Sequence, residues 1–275
     1  MQSLLAYLLL QRPRSQPREL LADLFWGDQP AERAYSCLNT ALWRLRQVLE
    51  PEGVTRGAYL VTTSAGEVSF NWESDYWLDV AVFEDQARRL LATPLDALSA
   101  EEAQATSQTL QLYANNLLEG FYDDWVLRER EYLRQLQLSS LARLVTFHKE
   151  RQAYQPGIQC AQQILAVEPL SEDTHRALMQ LYTDSGQRTL AMRQYETCRA
   201  LLAKELEIAP MAETQALFRK IRLADSELAA QEGVSLSNGV ISAASEKQEL
   251  RQLLDEAMNA LEEVRRLLQR AINAG

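Results

Sequence analysis

The sequence predicts a mostly α-helical chain interrupted by one β-hairpin, and three observations predict it. Apolar residues recur at helical spacing along most of the chain, as at Leu20, Leu21, Leu24 and Phe25. The period shortens to two only over residues 58–72, where Tyr59-Leu60-Val61-Thr62-Thr63 and Val68-Ser69-Phe70-Asn71-Trp72 flank the loop Ser64-Ala65-Gly66. A weak repeat places Leu178, Tyr182, Gly186, Ala191 and Tyr195 after the echo Leu144, His148 and Ile158. Its period of about 33–34 residues suits tetratricopeptide-like helix pairs, which stack because no single pair buries its own apolar face.

The front of the chain reads as three helices. The first runs from Gln2 to Gln11 and stops at Arg12-Pro13. The second opens near Ser15-Gln16-Pro17, with Pro suited to a first helical turn. Gly27-Asp28-Gln29-Pro30 is a turn, and a third helix runs from Ala31 to Leu49 with the seam Leu38, Ala41, Leu42, Leu45, Leu49. Behind the hairpin, Val82 to Leu91, Glu101 to Leu118 and Trp125 to Arg151 carry amphipathic spacing. In the repeats, Gly186 and Ala191 are expected where helices approach closely, and Pro169 and Pro210 punctuate the turns.

Residues 226–245 read as a linker. Leu250, Leu254, Ala257, Leu261, Val264, Leu268 and Ala271 then alternate steps of four and three, a heptad seam predicting a coiled-coil helix and a homodimer. The expected domains are therefore 1–80, 81–225, the linker 226–245, and 246–275.

Composition narrows the function. Of 275 residues, 47% are hydrophobic and 24% charged, which permits a packed core and excludes global disorder. Cys37, Cys160 and Cys198 lack zinc spacing and form no even disulfide set, so a reducing cytoplasm is expected. No metal or cofactor is expected, with only His148 and His175 as imidazoles. The apolar run Leu4 to Leu10 is far too short to span a membrane. Asp123-Asp124 and Glu129 have no nucleophile or metal-ligand partner beside them, the acid pair before Trp125 reads as a helix cap, and no enzyme motif is present. Net charge is −10, against indiscriminate polyanion binding. Residues 1–49 are the exception, with six Arg against four acids. The first Lys is Lys149, so the front of the chain meets phosphate with guanidinium alone.

Three helices followed by a hairpin is the order of a winged helix-turn-helix. Leu20-Leu21-Ala22-Asp23-Leu24-Phe25-Trp26 and Ala41-Leu42-Trp43-Arg44-Leu45-Arg46-Gln47-Val48-Leu49 resemble the DNA-binding half of SARP-type bacterial regulators. The run from Phe70 to Glu84 resembles the family's junction between the wing and the bacterial transcriptional activator domain. That resemblance continues through Glu119-Gly120-Phe121-Tyr122, Trp125 to Glu131, Ser185-Gly186-Gln187-Arg188 and Gln194 to Arg199, and covers about residues 4–224. Such regulators begin with a small sheet that this chain does not carry, so the winged-helix head reads as shortened at its front. The resemblance implies double-stranded DNA as a partner, and RNA polymerase approached by the turn Trp26 to Ala31. It also implies a helical domain that regulates through a protein or ligand.

At 100° per residue, Arg33, Ser36, Asn39, Thr40, Trp43 and Gln47 point away from the buried seam of the third helix, with Arg44 and Arg46 on the flanks. The resemblance makes this face a major-groove reader, Asn39 matching adenine and Arg44 guanine or phosphate. Arg56, Thr63 and Ser64 offer a wing contact, and Arg12, Arg14 and Arg18 either a phosphate contact or a solubilising cluster. Tyr76, Trp77, Phe83, Tyr113, Phe121, Tyr122 and Trp125 are expected in the core. A rival reading makes the head degenerate and the chain a protein–protein adaptor, because residues 1–80 hold seven Arg against ten acids.

Overall fold

The computed structural model describes residues 1–110 and 117–223. They fall into two compact units, one from Met1 to Phe147 and one from His148 onward. The expected linker and the heptad positions Leu250, Leu254, Ala257, Leu261, Val264, Leu268 and Ala271 lie outside the described residues, as does Tyr113.

The first unit opens with α1 (Gln2–Leu10), α2 (Arg18–Trp26) and α3 (Ala31–Leu49). α1 buries Leu4, Tyr7 and Leu8, and α2 buries Leu21 and Ala22. Both meet the inner face of α3, which buries Ala34, Leu38, Ala41, Leu42 and Leu45. Leu38 is fully enclosed, so truncating it to Ala would cost about 2–5 kcal/mol.

The strands β1 (Leu60–Thr62) and β2 (Val68–Phe70) pair antiparallel, with Leu60 opposite Phe70 and Thr62 opposite Val68. Leu60, Val68 and Phe70 are buried, while Thr62 at the hairpin's end is exposed. Gly66 closes the loop at φ 84°, a conformation that favours glycine.

Gln16 corrects the expected start of the second helix. It forms an antiparallel bridge to Val68, donating its N–H to the Val68 carbonyl at 2.8 Å and accepting the Val68 N–H at 2.9 Å. The residue before Pro17 is thus bridged to the hairpin rather than helical. A lone bridge has no period, so no sequence pattern marks it.

Next come α4 (Asp79–Ala92), α5 (Ala100–Leu110) and α6 (Asp124–Glu150). Leu118, expected inside a helix, sits instead in a turn at φ 49°. Arg130 holds that turn, donating to the Leu117 and Leu118 carbonyls at 2.6 Å each. The start of α6 belongs to the core of the front helices, where the Trp125 ring meets Tyr7 at 5.3 Å and Phe25 at 6.2 Å, edge to face. Phe83 and Trp125 are buried as expected, whereas Trp77 is 72% and Tyr122 78% exposed. Both stand in connecting segments, where no amphipathic face assigns a side chain inward.

The second unit packs α7 (Tyr154–Val167), α8 (Glu172–Asp184) and α9 (Arg188–Glu205), followed by a helical stretch at 212–223. Pro169 and Pro210 fall in the turns. Ala191 is fully buried, but Gly186 is no close-contact residue. A Cβ there would meet nothing within 4 Å, and φ 78° explains the glycine instead. Gly186 donates to Thr183 and Gln187 donates to Tyr182, the paired bonds that close a helix on a left-handed residue. The close approach is at Gly157, whose added Cβ would lie 3.3 Å from Leu181.

Candidate nucleic-acid interface

The outer face of α3 follows from its inner one. Because Ala34, Leu38, Ala41, Leu42 and Leu45 are buried, the 100° step leaves Arg33, Ser36, Asn39, Thr40, Trp43, Arg44 and Gln47 exposed. Arg44 joins this face, while Arg46 is half-buried. The Trp43 ring is 60% exposed, and Val48 beside it is also exposed.

Three braces hold this face against the hairpin and α2. Arg46 Nη2 donates to Thr62 Oγ1 at 2.8 Å, tying α3 to β1. Glu50, just beyond α3, accepts the N–H groups of Tyr59 and Leu60 at 3.0 and 2.9 Å. Burial pushes the Glu50 carboxyl up, but those N–H groups, that of Gly57 and the Arg46 charge outweigh it, and the net direction is down. The third brace is Arg18, which donates from Nη2 to Asn39 Oδ1. Its stem passes under the hairpin loop, with Cδ 4.0 Å from where a Gly66 Cβ would stand. No sequence pattern singles out Glu50, since nothing local marks an acid that caps a strand nine residues on.

Between these braces lies a groove of about 420 Å³, lined among others by Arg18, Asn39, Trp43, Arg46, Gln47 and Arg56. The fold therefore gathers arginines from α2, α3 and the loop before β1 onto one concave surface with two amides and an indole. Such a surface donates hydrogen bonds and carries positive charge, which is what phosphates and base edges accept.

The remaining candidates separate. Arg14 and Ser64 are exposed, and Thr63 is half-buried with its Oγ1 accepting the Glu67 N–H at 3.1 Å. Arg12 leaves the phosphate cluster, because its Nη2 pairs with Glu84 at 2.6 Å. Arg88 holds the other Glu84 oxygen at 3.0 Å. His175 is a core residue of the second unit, bonded to the Pro169 carbonyl at 2.9 Å and to Gln194. Among the described residues no group of His, Cys, Asp and Glu is arranged to hold a metal ion, and no helix is long and apolar enough to cross a membrane.

Residues 78–222, more than half of the chain, match the family described as bacterial transcriptional activator domain. The chain belongs to this family. The SARP-type resemblance carried by residues 20–49 and 70–84 agrees with the assignment. The bacterial transcriptional activator domain family is one of transcriptional regulators rather than enzymes. The chain is 28% identical over 227 residues to the regulatory protein AfsR of Streptomyces coelicolor, covering 82% of this chain and 22% of that protein. Its identity to AfsR of Streptomyces griseus is 27% over 231 residues, with the same coverage. The chain thus spans about a fifth of the length of these relatives. Among solved structures it is similar in fold to Mycobacterium tuberculosis EmbR in complex with a low affinity phosphopeptide, with TM-score 0.61 and 18% identity. That match covers 80% of this chain and 58% of EmbR. The fold class is that of a winged helix-turn-helix with a hairpin wing, followed by a helical repeat domain.

Proposed function

We propose that the chain is a DNA-binding transcriptional regulator that lays α3 in the major groove and sets the β1–β2 hairpin as a wing beside it. Arg33, Ser36, Asn39, Thr40, Trp43, Arg44 and Gln47 are the reading face, with Arg56 on the flanking phosphate. One observation carries this reading: an exposed polar helix face borders a groove lined by Arg18, Arg46 and Arg56. In this reading residues 1–80 form the head, residues 81–225 regulate it through partner contact, and the turn Trp26 to Ala31 meets RNA polymerase. A dimer formed through 246–275 places two heads on successive half-sites.

The test is retention of random genomic duplexes on the full chain at low salt. Wild type retains a subset, and affinity falls steeply as salt rises because phosphate contacts release counterions. Asn39→Ala with Arg44→Ala weakens binding to that subset by about 1–3 kcal/mol for each base that is no longer read. The exposure of Trp43 and Val48 favours the rival protein–protein adaptor. If wild type retains no duplex at low salt, that reading replaces this one.

A further inference from the structure

We infer that Arg18 is a specificity-determining positioning residue, which turns Asn39 from a reader of adenine into a reader of guanine. The inference rests on the DNA-reading role of α3. Free asparagine suits adenine because its amide offers both an acceptor and a donor, matching adenine N6–H and N7. Arg18 removes half of that match. A guanidinium carries donors and no acceptor, so the amide atom facing it must be the oxygen. This sets Asn39 with Oδ1 turned to Arg18 Nη2 and leaves Nδ2 as its free group.

The second lone pair of Oδ1 remains, but whatever approaches it stands beside a positive guanidinium. The adenine amino group would meet donors with a donor. Guanine presents acceptors only, at O6 and N7, and the free Asn39 Nδ2 donates to those. Arg46 and Arg56 line the same groove and add positive charge beside Asn39, with Glu50 in that lining turned to the Tyr59 and Leu60 N–H groups. Arg18 is held for this task by its place in the fold. It opens α2 directly after the Gln16 bridge to β2, and the hairpin loop at Gly66 lies along its stem.

The experiment selects duplexes from a randomised pool with four full-length chains: wild type, Arg18→Met, Arg18→Lys and Asn39→Ala. Asn39→Ala loses preference at one base pair and so marks the position Asn39 reads. There, wild type enriches guanine over adenine by about tenfold or more. Arg18→Lys keeps that preference, because an ammonium also only donates. Arg18→Met moves it to adenine, without changing the bases selected elsewhere. A purely structural role of Arg18 would weaken all positions together. The same position is checked without Arg18→Met, on wild type and Asn39→Ala, by replacing guanine with 7-deazaguanine, which removes N7. Binding then falls several-fold, and Asn39→Ala does not respond, so the inference is tested even if Arg18→Met does not fold. Adenine at the marked position with wild type, or an unchanged preference in folded Arg18→Met, overturns the lock and leaves the DNA-reading role standing. No enriched sequence with wild type overturns both.

Discussion

At His175 a single side chain couples the second unit to pH. Its Nε2 meets the Pro169 carbonyl and its Nδ1 meets the Gln194 amide, which suits a neutral ring that donates on one side and accepts on the other. Burial lowers its pKa from the ordinary 6.5, against the smaller upward pull of the Pro169 bond and the Glu172 charge. Below 6.5 the unfolded chain takes up a proton that the folded chain refuses, so stability is lost as pH falls through that window. His148 is shifted in the same direction, by burial first and then by Arg151. We expect the thermal midpoint to fall between pH 7 and about pH 5. In His175→Gln the fall is shallower, and the remaining slope includes the part due to His148. Equal slopes in the two chains would remove His175 from this account.

At the scale of the element, helix ends and helix contacts use small or left-handed residues for different reasons. Gly186 ends α8 at φ 78° in open space, whereas Gln152 holds φ 56° after α6 with a full side chain. Both close the same pair of bonds, since Ala153 donates to His148 and Gln152 to Lys149 just as Gln187 and Gly186 do behind α8. Substituting Gly186→Ala should therefore cost about 1 kcal/mol, and Gln152→Gly should return a similar amount by relieving the left-handed strain. Gly157 is governed by packing, because Leu181 and His148 stand 3.3 and 3.4 Å from where its Cβ would lie. Gly157→Val and Ala191→Leu should each cost about 1–3 kcal/mol by overpacking. Urea midpoints of the four variants order these effects. A neutral Gly157→Val would show that α7 and α8 separate more easily than their spacing implies.

For the whole molecule, the strongest expectation concerns pairing. The seam Leu250, Leu254, Ala257, Leu261, Val264, Leu268 lies outside the described residues, and the expected dimer follows from heptad spacing alone. Three heptads that include Ala257 give modest affinity, so the dimer should form as concentration rises. Leu254→Glu with Leu261→Glu places charges in the seam of each chain. Light scattering should follow wild type from monomer towards twice that mass, with the variant staying monomeric. On DNA, the same substitution should weaken binding to a two-half-site duplex far more than to a single half-site, because a tethered second head acts at high effective concentration. If wild type remains monomeric at the highest concentrations, the pairing model falls, while a monomeric α3 still serves as a reader.

Local periodicity and turn residues determined most of the helical course of the described residues, the bounds Ala31–Leu49 of α3, the hairpin and the outward face of α3. The reason is physical. A helix turns 100° per residue and a strand alternates, so a buried seam dictates its opposite face without knowledge of the partner. Tertiary structure decided what no period encodes. The Gln16–Val68 bridge, the Glu50 cap on β1, the Arg12–Glu84 ion pair and the Arg18–Asn39 bond all join residues distant along the chain. Trp77 and Tyr122 face solvent against expectation for a related reason: an aromatic outside a periodic segment carries no directional signal. The fate of Arg12 and Arg18 makes the contrast clear. They stand six residues apart in one basic cluster, yet the fold commits the first to Glu84 and aims the second at the reading helix.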